Sequence, residues 1–204
     1  MIMFFVEPII ASLLTEFDRI SPGRRDVLTQ ITKFIETHKV SNLVFICTHN
    51  SRRSHIAQIW AETAAAYFEA RHVSSFSGGT EATAFNPRAV DALRGIGLRI
   101  NVSTPGVNPR YTVSYSDTHP AFDVFSKRYD SPGNPSNDFA AIMTCTHADE
   151  NCPVVNGASA RISLPYDDPK DFDGTDLEAT KYAERALEIG REILFVFSQI
   201  KKPL

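Results

Sequence analysis

The sequence predicts an α/β protein of three layers, α/β/α, around a central four-stranded parallel sheet. Apolar strand-like runs alternate with helix-like stretches from Asn42 onward, which implies parallel strands joined by right-handed crossovers and covered by helices. Two of these runs lead to cysteines, NLVFI being followed by Cys47 and FAAIMTC ending in Cys145, and a long C-terminal apolar stripe at helical spacing closes the chain.

The elements follow in order. Residues 1–40 read as an N-terminal helical extension packed on the main domain: a short apolar helix over Ile9–Phe17, then Ser21-Pro22 opening a second helix to about His38. Its apolar Val27, Ile31, Phe34 and Ile35 recur at helical spacing and suit packing against the main domain or a partner subunit. Within the main domain, 41–204, a strand at 42–46 leads to a helix at about 54–70, a strand at 72–77 and a helix at 86–95 opened by Asn86-Pro87. Residues 103–137 break this rhythm and read as an inserted loop, a lid or a solvent-facing excursion, with Tyr111, Tyr115 and Phe122 as its anchors or as a cleft wall. Strands resume at 139–145 and 160–166, and the last helix runs from about Thr175 or Leu177 to Phe197.

The chain has 204 residues, 43% of them hydrophobic, as suits one well-cored domain. A net charge of -3 with scattered Lys and Arg argues against nucleic-acid and membrane surfaces. The apolar opening carries Glu7 and Pro8 and lacks a basic start, unlike a signal peptide, and no run is long enough to span a membrane. Three cysteines do not make a disulfide framework, so a cytoplasmic location with working thiols is expected.

The chemistry concentrates in CTHNSRRS, residues 47–54, between the first strand and its helix. A loop there offers backbone N–H groups in a concave arrangement, and the helix N-terminus adds free donors and its positive dipole end, so an oxyanion can be held. Cys47 sits at the base as nucleophile, and Arg53 supplies a planar fork of donors whose field stabilises a thiolate. Thr48, His49, Ser51 and Arg52 complete the oxyanion loop. Asn50 can adopt a left-handed turn conformation, and Ser54 can cap the helix and offer its hydroxyl to Cys47. His55 reads as an exposed first-turn residue without need of a function. A lone cysteine at a strand end is ordinarily a small hydrophobe, but a plain connection would not need a thiol, an Asn, two Ser and two Arg.

A leaving oxygen needs a proton. Asp167-Asp168-Pro169 follows the last strand, where the carboxyl end of a parallel sheet places active groups, and Asp168 is the candidate general acid, its carboxyl raised by an apolar or anionic setting. The same pair could be only a turn or a cap. Cys145 emerges on the same sheet edge as Cys47, and polar, turn-prone THADEN separates it from Cys152, so a disulfide between them needs a bend or local unwinding. A zinc site is the rival, with only His147 and His49 nearby, and no metal is expected.

These segments together resemble the low-molecular-weight protein tyrosine phosphatase superfamily and, within it, the thioredoxin-coupled arsenate reductases. The Cys-X5-Arg-Ser loop matches Cys47 to Ser54, the catalytic Asp-Pro matches Asp168-Pro169, and TCTHADENCP at 144–153 resembles the reductases' redox segment; FSGGTEATAFNPRAVDALRGIG also looks like theirs. The resemblance implies that Cys47 attacks arsenate, Arg53 and the loop amides bind it, and Asp168 protonates the departing hydroxide. Cys145 then attacks the Cys47 sulfur to release arsenite, and Cys152 takes over, leaving a Cys145–Cys152 disulfide for thioredoxin. No bound cofactor is implied.

The chain departs from the family at several positions. His49 stands where the loop often has Gly, Arg52 where it often has a second Cys, and Gln58 where some reductases carry a Glu that helps bind potassium, so that ion is not carried over. Hydrolysis of a phosphotyrosine protein through a phosphocysteine is the alternative function, and an anion-binding module without turnover is a third.

Overall fold

The computed structural model describes residues 3–152 and 154–201. Four parallel strands form the central sheet: β1 (Ser41–Cys47), β2 (Val73–Gly79), and, after three intervening strands, β6 (Phe139–Met143) and β7 (Ala158–Ser163), in the order β2-β1-β6-β7. This is the sheet the sequence predicts. Every residue of β6 is buried, and all of β1 but Asn42, because the two central strands are covered on both faces.

One face carries the larger core. Leu43, Phe45, Ala140 and Ile142 point into it and meet α3 (Arg53–Tyr67) and α6 (Glu178–Ser198). Trp60 of α3 donates its indole N–H to Ala186 O at 2.8 Å, and a Cβ at Gly190 of α6 would lie 2.4 Å from the Trp60 ring, so only glycine lets these helices approach so closely. Outside α6 lie α1 (Glu7–Leu14) and α2 (Pro22–Thr37), started by Ser21, whose hydroxyl accepts from Arg24 N. Ile10, Leu13, Leu28, Ile31 and Ile35 are buried in the same core. α4 (Pro87–Gly95), capped by the Asn86 side chain, also rests on α6.

The opposite face is thinner. Val44, Ile46, Ala141 and Met143 are covered by the six-residue helix α5 (Thr146–Asn151), by Val155 and by Tyr129.

The inserted segment corrects the expectation of a loop. Its β4 (Arg110–Ser114) and β5 (Phe122–Val124) form a three-stranded antiparallel sheet with β3 (Arg99–Thr104), which begins just before it. Tyr111, Val113 and Tyr115 alternate inward along it, and Phe5 N donates to Tyr115 O at 2.9 Å. The last part of the insertion returns to the main sheet: Gly79 N donates to Lys127 O and Tyr129 N to Gly79 O, both at 2.9 Å.

Candidate active site

β1 delivers Cys47 to the carboxyl edge of the sheet, and the chain turns at once through residues 48–52 into α3. Asn50 makes the turn possible, with φ at 44° in the left-handed region that a short polar side chain tolerates. Its Nδ2 donates to Ser54 Oγ at 2.9 Å, and its Oδ1 accepts from Lys127 N at 2.8 Å, so the insertion clamps the loop. Ser54 Oγ lies 3.1 Å from Cys47 Sγ. The sequence led us to expect Ser54 as a cap of α3; Ser54 instead lies inside the helix, and Arg52 holds the cap position with no side-chain cap.

No protein acceptor among the described residues takes a hydrogen bond from the backbone N–H groups of His49 to Ser54. Unspent donors at an uncapped helix start make an oxyanion cradle. β2 must pass close behind it. A Cβ at Gly79 would sit 2.7 Å from both Asn50 N and Thr48 O and 2.2 Å from Glu81 O.

Both arginines of the loop reach across to the segment after β7. Arg53 donates to Tyr166 O at 2.8 Å and to Asp168 Oδ2 at 2.6 Å, and Arg52 Nε donates to Asp168 Oδ1 at 2.9 Å. Arg53 Nε is buried without a partner, a donor available to an anion. Burial alone would raise the Asp168 carboxyl, but Arg53 and Arg52 outweigh it and hold it below the usual carboxylate range. The raised carboxyl expected of a general acid is therefore absent while the arginines rest on it. Asp167 is exposed and lies 3.4 Å from Arg185.

Cys145 is buried, follows β6 and is the N-cap of α5, its sulfur accepting from Ala148 N at 3.4 Å. Thr48 connects it to the nucleophile loop: Thr48 Oγ1 lies 3.4 Å from Cys145 Sγ and 3.2 Å from His147 Nδ1. Cys152 closes α5 at its other end, partly exposed. All three thiols are free and belong to one apolar cluster on the thin face of the sheet. The motif proline at 153 lies outside the described residues.

His49 is exposed, 3.7 Å from Glu81; Ser51 is buried and accepts from Asn86 N at 2.8 Å through its carbonyl. His55 is fully buried, not exposed as expected. It stacks near Phe85 and lies 3.1 Å from Ser77 Oγ, and desolvation, with Lys127 nearby, lowers it to about 3. Sequence reasoning missed Lys127, buried and lowered by desolvation and Arg110 to about 8. No signal in its surroundings, FSKRYD, marked it. No group of three or more His, Cys, Asp or Glu among the described residues could hold a metal.

No family model matches the chain. It is 27% identical over 152 residues to the arsenate reductase of Halalkalibacterium halodurans, covering 74% of this chain and 91% of that protein. Over 156 residues it is 28% identical to the arsenate reductase of Bacillus licheniformis, again 74% and 91%. Among solved structures, an arsenate reductase in the phosphate-binding state superimposes with a TM-score of 0.50 at 18% identity, covering 79% of this chain and all of that one. The chain is thus similar in sequence to arsenate reductases and shares their fold, as its motifs led us to expect.

Proposed function

We propose that this protein is an arsenate reductase working through a three-thiol relay. The observation that carries the reading is the joining of Cys145 to the Cys47 loop through Thr48, with Cys152 in the same cluster. A phosphatase needs Cys47, Arg53 and Asp168 alone; two further thiols beside them are superfluous to hydrolysis.

In this reading the Cys47 thiolate attacks arsenate, Arg53 and the loop N–H groups hold its oxygens, and hydroxide departs as water with a proton from Asp168. The incoming anion competes for Arg53 and Arg52. Drawing them off removes what holds the Asp168 carboxyl down, and burial then favours its protonated form. Cys145 thiolate next attacks the Cys47 sulfur. The S–As electron pair passes to arsenic, arsenite leaves, and a Cys47–Cys145 disulfide remains. Cys152 attacks Cys145, frees Cys47, and leaves a disulfide for an external dithiol such as thioredoxin.

That last exchange requires α5 to move. Seven residues of helix place Cys145 and Cys152 about 10 Å apart along the axis, beyond the reach of a disulfide, about 4.4–6.8 Å between Cα atoms. A six-residue helix has little stability of its own and can unwind. Residues 1–40 are read as a brace for α6, and a reducing cytoplasm as the setting.

The test is thioredoxin-dependent NADPH oxidation with arsenate beside aryl phosphate hydrolysis, in the native chain and in Cys152→Ser. Loss of arsenate turnover in Cys152→Ser, with one equivalent of arsenite still released, supports the relay. Unaltered ester hydrolysis without any arsenate turnover would make the protein a phosphatase.

A further inference from the structure

The relay leaves one step without an agent. Cys145 must lose its proton before it can attack, and it is buried, 1% exposed, so water is not at hand to take it. Its polar contacts are Ala148 N–H, which offers only a donor, and the Thr48 hydroxyl. Thr48 Oγ1 in turn lies 3.2 Å from Nδ1 of His147, a residue in the first turn of α5.

We propose that His147 is the proton acceptor for Cys145, acting through the Thr48 hydroxyl, and so sets the pH range in which the second thiol can attack. The S–H proton passes to Thr48 Oγ1 while the Thr48 hydroxyl proton passes to His147 Nδ1; Thr48 ends as it began, Cys145 is a thiolate and His147 an imidazolium. The thiolate then attacks the Cys47 sulfur, two thiols become one disulfide, and arsenic gains the electron pair. The direction requires His147 to begin with its proton on Nε2. This rests on the three-thiol reading above, although proton removal from Cys145 can be measured without arsenate.

The other titratable groups around α5 do not compete for this task. Asp149 is paired with Arg161 of β7 at 2.7 Å, and Glu150 is exposed on α5. Tyr129, raised first by desolvation and then by Cys152 beside it, is neutral, and Cys47 of β1 faces Ser54. Among the described residues, Thr48 and His147 make the one unbroken path of hydrogen-bond distances from the Cys145 sulfur to an exposed base.

Two measurements separate this inference from the reductase reading. In Cys47→Ser/Cys152→Ser protein, the ultraviolet absorbance of the Cys145 thiolate, which needs no reagent to reach the buried sulfur, is followed from mildly acidic to mildly alkaline pH. His147→Gln and Thr48→Val are each expected to lower the thiolate fraction at neutral pH and to move its rise to higher pH. Thr48→Ser should restore the native profile, and the double variant should be shifted no further than either single one, since both lie on one path. In Cys152→Ser protein, quenched single turnovers with arsenate should show the same ranking, with the Cys47–Cys145 disulfide forming about ten-fold or more slowly in His147→Gln and Thr48→Val. Superimposable profiles for native and His147→Gln would overturn the proposal, as would a shift in Thr48→Val alone. A shifted thiolate profile with no disulfide formed from arsenate would keep the role of His147 and remove the reductase reading.

Discussion

Arg53 and Asp168 are joined at 2.6 Å, so the residue proposed to hold the oxyanion is occupied by the residue proposed to protonate its leaving group. Arg52 closes the other side of the carboxylate at 2.9 Å. An anion entering the loop has to displace this carboxylate from at least one guanidinium. Removing the charge by Asp168→Asn should therefore tighten phosphate binding while lowering turnover by about 10²–10³. Calorimetric titration with phosphate beside kcat checks both halves. Weaker phosphate binding in the variant would mean that Asp168 orients the arginines and does not compete for them.

The same pair gives a stability signature. A carboxyl held low in the folded state stabilises fully above its unfolded value, about 3.9, and that contribution is lost as pH falls through the lowered folded value. Asp168→Asn should flatten the acid end of a Tm against pH curve. An unchanged acid limb would place the stabilising carboxylates elsewhere.

His55 predicts a second limb at higher pH. It is buried neutral and lowered to about 3, so between there and its unfolded value, about 6.5, the unfolded chain binds the extra proton. Stability is complete above that unfolded value and falls with acid at up to about 1.4 kcal/mol per pH unit. His55→Gln, which cannot titrate, should lose this slope even if it starts from a lower Tm. Denaturant unfolding at several pH values between the two limits measures it.

These two residues also indicate what the sequence could convey. Asp168 could be singled out because it follows the last strand at the carboxyl edge of the sheet, and the bland reading of the pair as a cap also holds, since its Oδ1 accepts from Lys170 N at 3.1 Å; β1 and β6 were legible because their apolar runs outlast any amphipathic pattern. His55 was misread because first-turn helical residues are usually exposed; α3 is enclosed between the sheet and α6, and 11 of its 15 residues are buried. β4 and β5 lie within residues 103–137, which were read as loop. The inward residues of β4 and its end, Tyr111, Val113 and Tyr115, do alternate, but Thr112 and Ser114 between them and the prolines on either side carried the stronger turn signal. The Thr48–His147 contact links residues 99 apart, and no local pattern encodes it.

Gly79 is where β2, the nucleophile loop and the insertion meet. Gly79→Ala would force a methyl against backbone that cannot yield like a side-chain tip, since Asn50 N and Thr48 O are fixed by the loop. An overpacked site of this kind costs about 1–3 kcal/mol. The loss of activity should exceed that of stability, because the atoms displaced belong to the oxyanion cradle. Urea unfolding and phosphate affinity on one preparation test this. Full phosphate affinity in a destabilised variant would show that strain relaxes away from the loop.

Arg161 governs how easily α5 can open. It donates to Asp149 O at 2.5 Å and to Cys152 O at 3.2 Å, and pairs with the Asp149 carboxylate at 2.7 Å. One side chain of β7 thus ties both the middle and the end of a helix that, in the proposed relay, unwinds before Cys152 can reach Cys145. The carbonyl contacts matter more than the partly exposed ion pair, which contributes about 1 kcal/mol or less. Arg161→Met keeps the apolar stem and removes all three ties, so folding stability should fall by about 1–2 kcal/mol while the Cys145–Cys152 disulfide forms several-fold faster under a mild oxidant. Thiol trapping over time, with the Cys47→Ser change in both proteins to isolate the pair, gives the rate. Slower disulfide formation in Arg161→Met would show that Arg161 assists the exchange itself, by favouring the Cys152 thiolate, and that unwinding does not limit it.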